Sequence, residues 1–420
     1  MFLYSLSKKK TFQLLMISTL LTYLRDSRFF LHPRIWAEEG TIYLMHSIKY
    51  GFPGIFFPNV DQTASIDYIN YYSFLPNLAT FVASSFFPIE YAAHITTYFS
   101  ALFQLLTVLI IFKSVNSFIS NKNLAILVAL TPIIFSSVET WVNSINIQFW
   151  FTTGILFILS SNKISKFDLF YSLIGFFTSV GSLFLIPFLF LRFFKENNSK
   201  NHILALLIFG TAGFLFQCFA LLSSFEFNSR FKIDLFKNLP RGLGSSLIPR
   251  IVYISDPLGP NSSESLYDNS TILIFTFFLI LMIVSIFVCL KKFKKFNFRF
   301  KLLYPIMAYW FISTLTSLNM SGGERYGLPV YCGIFYIIIL AFESSPNILI
   351  KRLILFSTLF LFTLRIFVFF ETEKYYNSSW LNWKEQVLEY DKNSKKNIKV
   401  FPQWDDSSIW EVDINSVINK

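Results

Sequence analysis

Two adjacent carboxylates, Glu38 and Glu39, stand in the run Arg34-Ile-Trp36-Ala-Glu-Glu-Gly40, directly after the first apolar stretch of the chain. A carboxylate beside hydrocarbon is costly to keep charged, so acidic residues at such a boundary point to function. The chemistry they offer is proton abstraction from a hydroxyl, because partial desolvation raises a carboxylate's pKa and suits it to accept a proton. A solvated loop with two charges is the plain alternative. Neighbours on a helix point about 100° apart, so both carboxylates cannot address one atom squarely. One is expected to face the site while the other holds a neighbouring arginine.

Two further clusters could join them. Ser321-Gly-Gly-Glu324-Arg325-Tyr326-Gly-Leu-Pro329 lies between two apolar runs. Its glycines allow close backbone approach, and Arg325 offers a planar fork for a phosphate. The same residues would also serve as a tight turn whose Arg325 pairs with Glu324 or a lipid headgroup. From Glu139 to Trp150 the chain sets Asn143, Asn146 and Gln148 among Trp141 and Trp150, amides and indoles of the kind that contact sugars. An interfacial aromatic belt explains that segment equally well. The acidic loop itself also carries Asp26, Arg28, Arg34, Asp61 and Asp67, and Ile35 to Tyr50 suits a helix lying along the interface with Tyr43, Leu44 and Ile48 turned into lipid or protein. No Ser/His/Asp or Cys/His arrangement competes: His32, His46, His94 and His202 are scattered, and Cys218, Cys289 and Cys332 sit inside apolar runs. Neither a metal site nor a disulfide framework is indicated.

The elements that must position these groups are membrane helices. Apolar residues make up 54% of the chain and charged ones 15%, against about 25% in soluble domains. Runs such as Thr271 to Leu290 reach the roughly 20 residues that a helix needs to cross the bilayer. Such runs recur near residues 11–24, 70–88, 91–112, 123–138, 147–161, 167–191, 203–224, 271–290, 302–318, 326–342 and 352–370, which predicts an all-α polytopic transmembrane bundle of about eleven spans. The net charge of +11 reports orientation and not a nucleic-acid partner, since Lys and Arg fall in short loops. Positive-inside counting puts Lys8 to Lys10, Arg192 to Lys200, Lys291 to Lys301 and Lys351-Arg352 in the cytoplasm. The first loop (25–69), segment 225–270, loop 319–325 and the tail then lie outside. The N-terminal run is read as an uncleaved first span.

The middle of the chain allows two arrangements. If every run spans, Lys113, Lys122, Lys163 and Lys166 lie outside, against the charge rule. If 70–88 only dips into the interface and 167–191 breaks at Gly175/Gly181, those lysines lie inside and the 139–148 loop joins the outer face. The second is favoured, because Pro76 and Pro88 bracket a short run. The domain reading is thus 1–370 for the membrane unit and 371–420 for an outer tail. That tail holds Trp380, Trp383, Trp404 and Trp410, too aromatic for a disordered segment, and forms either a small cap or an interfacial belt.

In order and kind these pieces resemble the GT-C superfamily of integral-membrane glycosyltransferases, in particular its bacterial members with a Trp-Ala-Glu-Asp/Glu-Gly motif in the first outer loop, a later Asn-x-Gln-Trp-like loop and Arg-Tyr-x-x-Pro near the end. Here the matches are Trp36 to Gly40, Asn146 to Trp150 and Arg325 to Pro329; the Asp-x-Asp and His-Pro-Asp-Glu forms are missing, with Glu38-Glu39 in their place. The resemblance implies a polyprenyl-phosphate-linked sugar as donor and a lipid-linked or cell-surface glycan as acceptor. It makes Glu38 or Glu39 the general base and gives the donor phosphate to Arg325, with Tyr326 and Arg34. Trp36, Glu324, Asn146, Gln148 and Trp150 are the implied substrate contacts. It implies the cytoplasmic membrane of a bacterium, the site on the outer face, and no cofactor beyond an optional divalent metal. An O-antigen polymerase or lipid-linked oligosaccharide flippase is the rival reading, kept open by Arg230, Arg241 and Arg250; a secondary transporter would place ionisable groups at the midplane, whereas here the charges gather at span ends.

Overall fold

The computed structural model describes residues 8–36, 38–58, 72–137, 140–197, 199–223, 269–293, 296–316, 324–370, 382–393, 398–400 and 411–412. Asp61, Asp67, Glu139, Arg230, Arg241, Arg250, residues 319–323, Lys294, Trp380, Trp404 and Trp410 lie outside the described residues, as does the side chain of Glu324. The fold is all-α. Its helices are α1 (Lys8–Arg25), α2 (Arg28–Leu31), α3 (Met45–Tyr50), α4 (Phe74–Phe86), α5 (Ala92–Val115), α6 (Lys122–Phe135), α7 (Ile147–Ser160), α8 (Lys166–Thr178), α9 (Val180–Leu183), α10 (Ile186–Lys195), α11 (Lys200–Ser223), α12 (Asn269–Lys292), α13 (Tyr304–Thr316), α14 (Glu324–Ser344), α15 (Ile348–Phe369) and α16 (Trp383–Asn393). Ile398–Lys399 and Glu411–Val412 form a two-residue antiparallel pairing, and Trp36 makes an isolated bridge.

Among the described residues, three helical segments are long and apolar enough to cross a membrane: Ile89–Val115, Lys200–Ala220 and Arg325–Ser344. The bent unit of α8 with α9 and α10 would make a fourth if it counted as one span. Large apolar side chains also remain exposed in rows along helices, as at Phe12, Met16, Leu20 and Leu24 of α1 and Leu349, Leu353, Phe356 and Phe360 of α15. Such rows repeat every three or four residues, the period of one helix face.

Polar contacts sort the helix ends into two sets. At one end Lys10 of α1 donates to Asn123 of α6, Glu343 of α14 accepts from the backbone of Ser120 and Asn121, and Lys113 of α5 pairs with Asp168 of α8. Arg192 of α10 joins this end through the carbonyls of Leu159 and Ser161, and Lys301 through Glu196. At the other end Arg25, Ser136, Trp141 and Arg365 meet.

The ambiguous middle of the sequence follows from this sorting. The α8 to α10 unit starts beside Lys113 and finishes beside Ser161, so it enters and leaves at the same end, bent by 115°. Chain chemistry produces that shape. Ser165 and Asp168 form a reciprocal capping box that starts α8, and the Ser179 hydroxyl accepts from Ser182 to start a new helix at the bend. At the tip, the Thr178 carbonyl accepts from Ser73, and Ser179 shares a 2.7 Å hydrogen bond with Thr152 of α7. The unit therefore braces the start of α4 and the first half of α7.

Candidate functional site

Ile35 to Tyr50 does not form the single α-helix expected of it. Ile35 and Trp36 are packed into an apolar cluster with Tyr43, Leu44, Ala92 and Ile145 before any helix begins. A π-helical turn then spans Glu39–Leu44, and only Met45–Tyr50 is α-helical. The local reason is that the Glu39 carboxylate reaches back to accept from the Trp36 N–H at 3.3 Å, while Gly40 N–H donates to the Trp36 carbonyl at 2.9 Å. Wide turns of this kind recur at functional sites.

The two carboxylates have separate environments. Glu39 is 2% exposed, and Glu38 is half-buried. The Glu39 oxygens accept from the Trp36 N–H, from the Ser144 N–H at 3.1 Å, from the Ser144 hydroxyl, and from the Thr96 side chain. Its partners thus come from its own turn, from the loop before α7 and from α5, and not from the neighbouring arginine expected. Arg34 instead lies over the rings of Phe29 at 4.7 Å and Trp36 at 5.7 Å, itself buried. The turn lies outside the apolar runs, and burial holds the Glu39 pKa above its ordinary value, with the Ser144, Trp36 and Thr96 bonds pulling the other way.

That shift has a sign. A group whose folded pKa is raised binds its proton more readily folded than unfolded. Its stabilising contribution is complete below the ordinary carboxylate value and falls as pH rises through the raised one. In Glu39→Gln one carboxylate oxygen becomes an amide donor facing other donors, which costs about 1–3 kcal/mol. We expect the stability gap between the natural chain and Glu39→Gln to narrow as pH rises from the ordinary carboxylate range, by at most about 1.4 kcal/mol per pH unit. Unfolding midpoints of both proteins across that range would check this; a gap that widened with pH would contradict it.

The 140–150 loop is built around the same turn. Asn143 accepts from the Asn146 N–H at 2.9 Å, Trp150 donates its indole N–H to the Thr140 carbonyl at 2.9 Å, and Gln104 of α5 donates to that carbonyl at 3.1 Å. Trp36, Asn146 and Trp150 are therefore enclosed packing residues, whereas Gln148 at the start of α7 is half-buried. The next residue, Phe149, meets the ring of Tyr326 edge-on at 5.2 Å. This contact brings the start of α14 to the same end as Glu39, with Arg325 half-buried above the Tyr326 ring. Of the implied site residues whose side chains are described, Glu38, Gln148, Arg325 and Tyr326 are half-buried and the others are buried.

The C-terminal segment closes over the acidic turn. The Trp383 backbone N–H donates to the Pro33 carbonyl at 3.3 Å and its indole to the Ile89 carbonyl at 2.8 Å. Val387, Tyr390, Ile398, Val400 and Val412 complete the apolar cluster around Ile35 and Trp36. Gly40 is the point of closest approach: a Cβ there would lie 2.6 Å from Val400 Cγ1 and 2.8 Å from Ile35 Cγ2. Gly40→Ala is expected to destabilise the chain by about 1–3 kcal/mol, and Val400→Ala in the same molecule to recover part of the loss. Unfolding midpoints of the two single variants and the double variant measure this; strict additivity would mean that the contact does not constrain the turn.

Two residues absent from the sequence-derived set stand beside this site. Arg25 and Arg365 both donate to the Ser136 carbonyl, at 3.0 Å and 2.8 Å, at the C-terminus of α6, and Arg25 also bonds the Ser136 hydroxyl and lies over Trp141 and Phe369. Cations at a helix C-terminus are favoured by its dipole. The available signal was Arg365 itself, a charge within the apolar run 352–370. Comparison with known family models, curated proteins and solved structures finds no match for this chain.

Proposed function

We propose that this chain is an integral-membrane glycosyltransferase of GT-C-like architecture, moving a sugar from a polyprenyl-phosphate donor to a lipid-linked or cell-surface glycan. The observation that carries the reading is the contrast between the two carboxylates. Glu39 is enclosed and saturated with donors, while Glu38, one residue before it, keeps an open face at the bundle end that also holds Arg325. In this reading α4 dips into the interface, the α8 to α10 unit is re-entrant, and the remaining apolar runs cross the bilayer. The exposed apolar rows face lipid, and the lysine-rich end is cytoplasmic.

The reaction needs three things from the protein. The acceptor hydroxyl is a poor nucleophile at neutral pH, so Glu38 takes its proton as the oxygen attacks the anomeric carbon. The bond from that carbon to the donor phosphate oxygen breaks, and the electron pair stays on the phosphate. Arg325 balances this growing charge through its planar fork. Glu39 holds the turn at the angle Glu38 requires.

The test is incubation of the purified chain with a panel of polyprenyl-phosphate sugars and lipid acceptors, reading both sugar transfer and release of polyprenyl phosphate. Arg325→Lys, which keeps charge but loses the bidentate fork, is expected to lower transfer on the order of tenfold. A folded preparation that releases no polyprenyl phosphate from any donor would overturn the assignment.

A further inference from the structure

The lysine-rich end holds a groove with no part in the transfer chemistry. The first turns of α1 and α6 meet there, where Lys10 Nζ donates to Asn123 Oδ1 at 2.9 Å. Beyond that polar rim an open groove of about 410 Å³ runs between the two helices, walled by Phe12, Gln13, Met16, Ile17 and Ile126. Its size falls among those of small-molecule sites, roughly 300–1,000 Å³. Phe12 and Met16 are more than half exposed, at 64% and 56%, so the wall is apolar and open.

Lysines dominate the charge around the rim. Helix α1 opens on Lys8, Lys9 and Lys10, and α6 opens on Lys122, whose ammonium donates to Asn116 at 2.8 Å. The carboxylate that reaches this turn, Glu343, is occupied by the N–H groups of Ser120 and Asn121. A ligand for this place needs an anionic head at the rim and an apolar body below it. A zwitterionic lipid would bring its own ammonium to the lysines. A peptide would have to satisfy its backbone polar groups within hydrocarbon.

We propose that the groove binds one anionic phospholipid of the leaflet on the lysine-rich side. Its phosphate lies against Lys10 and the neighbouring lysines, and one acyl chain follows Phe12, Met16, Ile17 and Ile126. The proposal rests on the membrane part of the functional reading and not on sugar transfer, so the two fail separately.

Native mass spectrometry of the full chain, released from phosphatidylcholine nanodiscs doped with phosphatidylglycerol, tests it. The natural chain should retain one phosphatidylglycerol in preference to phosphatidylcholine. Lys10→Gln should weaken retention about fivefold, the share of one lysine near an anionic surface. Met16→Trp fills the groove at unchanged charge and should abolish retention; Ile17→Trp, at another point of the same wall, repeats the test should the first variant fold poorly. Equal retention of the two lipids would overturn the proposal. So would loss in Lys10→Gln with full retention in both tryptophan variants, which would mean diffuse attraction to lysines. Displacement of the lipid by inorganic phosphate alone would also overturn it, because the acyl chain would then contribute nothing.

Discussion

Glu38→Gln is expected to lower sugar transfer by about 10²–10⁴-fold, the usual share of a general base, with a smaller fall in the unfolding midpoint than Glu39→Gln shows. Glu39→Gln should act in the opposite sense, losing stability, most of all at acid pH, and losing activity only as far as the turn is disturbed. The difference arises from how far each carboxylate is enclosed. Glu39 is 2% exposed, and its oxygens are engaged by donors from three elements, so no acceptor hydroxyl can reach it. Glu38 is half-buried on the same turn and retains an open face. An amide at position 38 keeps size and polarity but cannot accept a proton. Transfer from a polyprenyl-phosphate sugar, measured beside thermal unfolding of each variant, separates the roles. Full activity in Glu38→Gln would be fatal to the mechanism. Equal loss in both variants with lowered midpoints would return the pair to a purely structural acidic turn.

Sequence periodicity was enough for the all-α class, because runs of apolar residues this long have few alternatives. The break in 167–191 was also legible, although it falls at Thr178 and Ser179, between the two glycines expected to cause it. The hydroxyl of Ser179 caps the second helix, and that job needs a side-chain acceptor, which glycine lacks. Which carboxylate is closed off was not legible. The angle between neighbours on a helix separates Glu38 from Glu39 but does not say which meets Ser144, a residue more than 100 positions away. The same distance hid the pairing of Arg25 with Arg365 at Ser136, and the seat of Val400 and Val412 on Gly40. Contacts of that range depend on how helices stack, and local patterning carries little of that information. The indoles of Trp36 and Trp150 illustrate the opposite error. Their type suits sugar stacking, yet both are consumed by packing, and only the fold distinguishes the two uses.

Arg192→Met is expected to produce the largest loss of stability, about 3–5 kcal/mol, the range for breaking a buried charge pair. The Arg192 guanidinium is 1% exposed and donates to the carbonyls of Ile158, Leu159 and Ser161 as well as to Glu196 at 2.7 Å. It therefore ends α7 and fixes the return of α10 with one side chain. Methionine fills similar space but takes a donor from each of those carbonyls, of which Ile158 keeps the Ser161 N–H, and leaves Lys301 to hold Glu196. Arg192→Lys should recover only part of the loss, since one ammonium cannot reach several carbonyls from a planar fork. Equilibrium unfolding in mixed micelles measures both variants. The consequence should extend beyond stability, because the tip of the same unit bonds Ser73 and Thr152, and Thr152 in turn donates to the Gln148 carbonyl at the mouth of the candidate site. Loosening the lysine-rich end should then reduce sugar transfer even under conditions where Arg192→Met remains folded. A variant that lost several kcal/mol yet transferred sugar at the full rate would show that the bent unit stabilises the bundle without positioning α7.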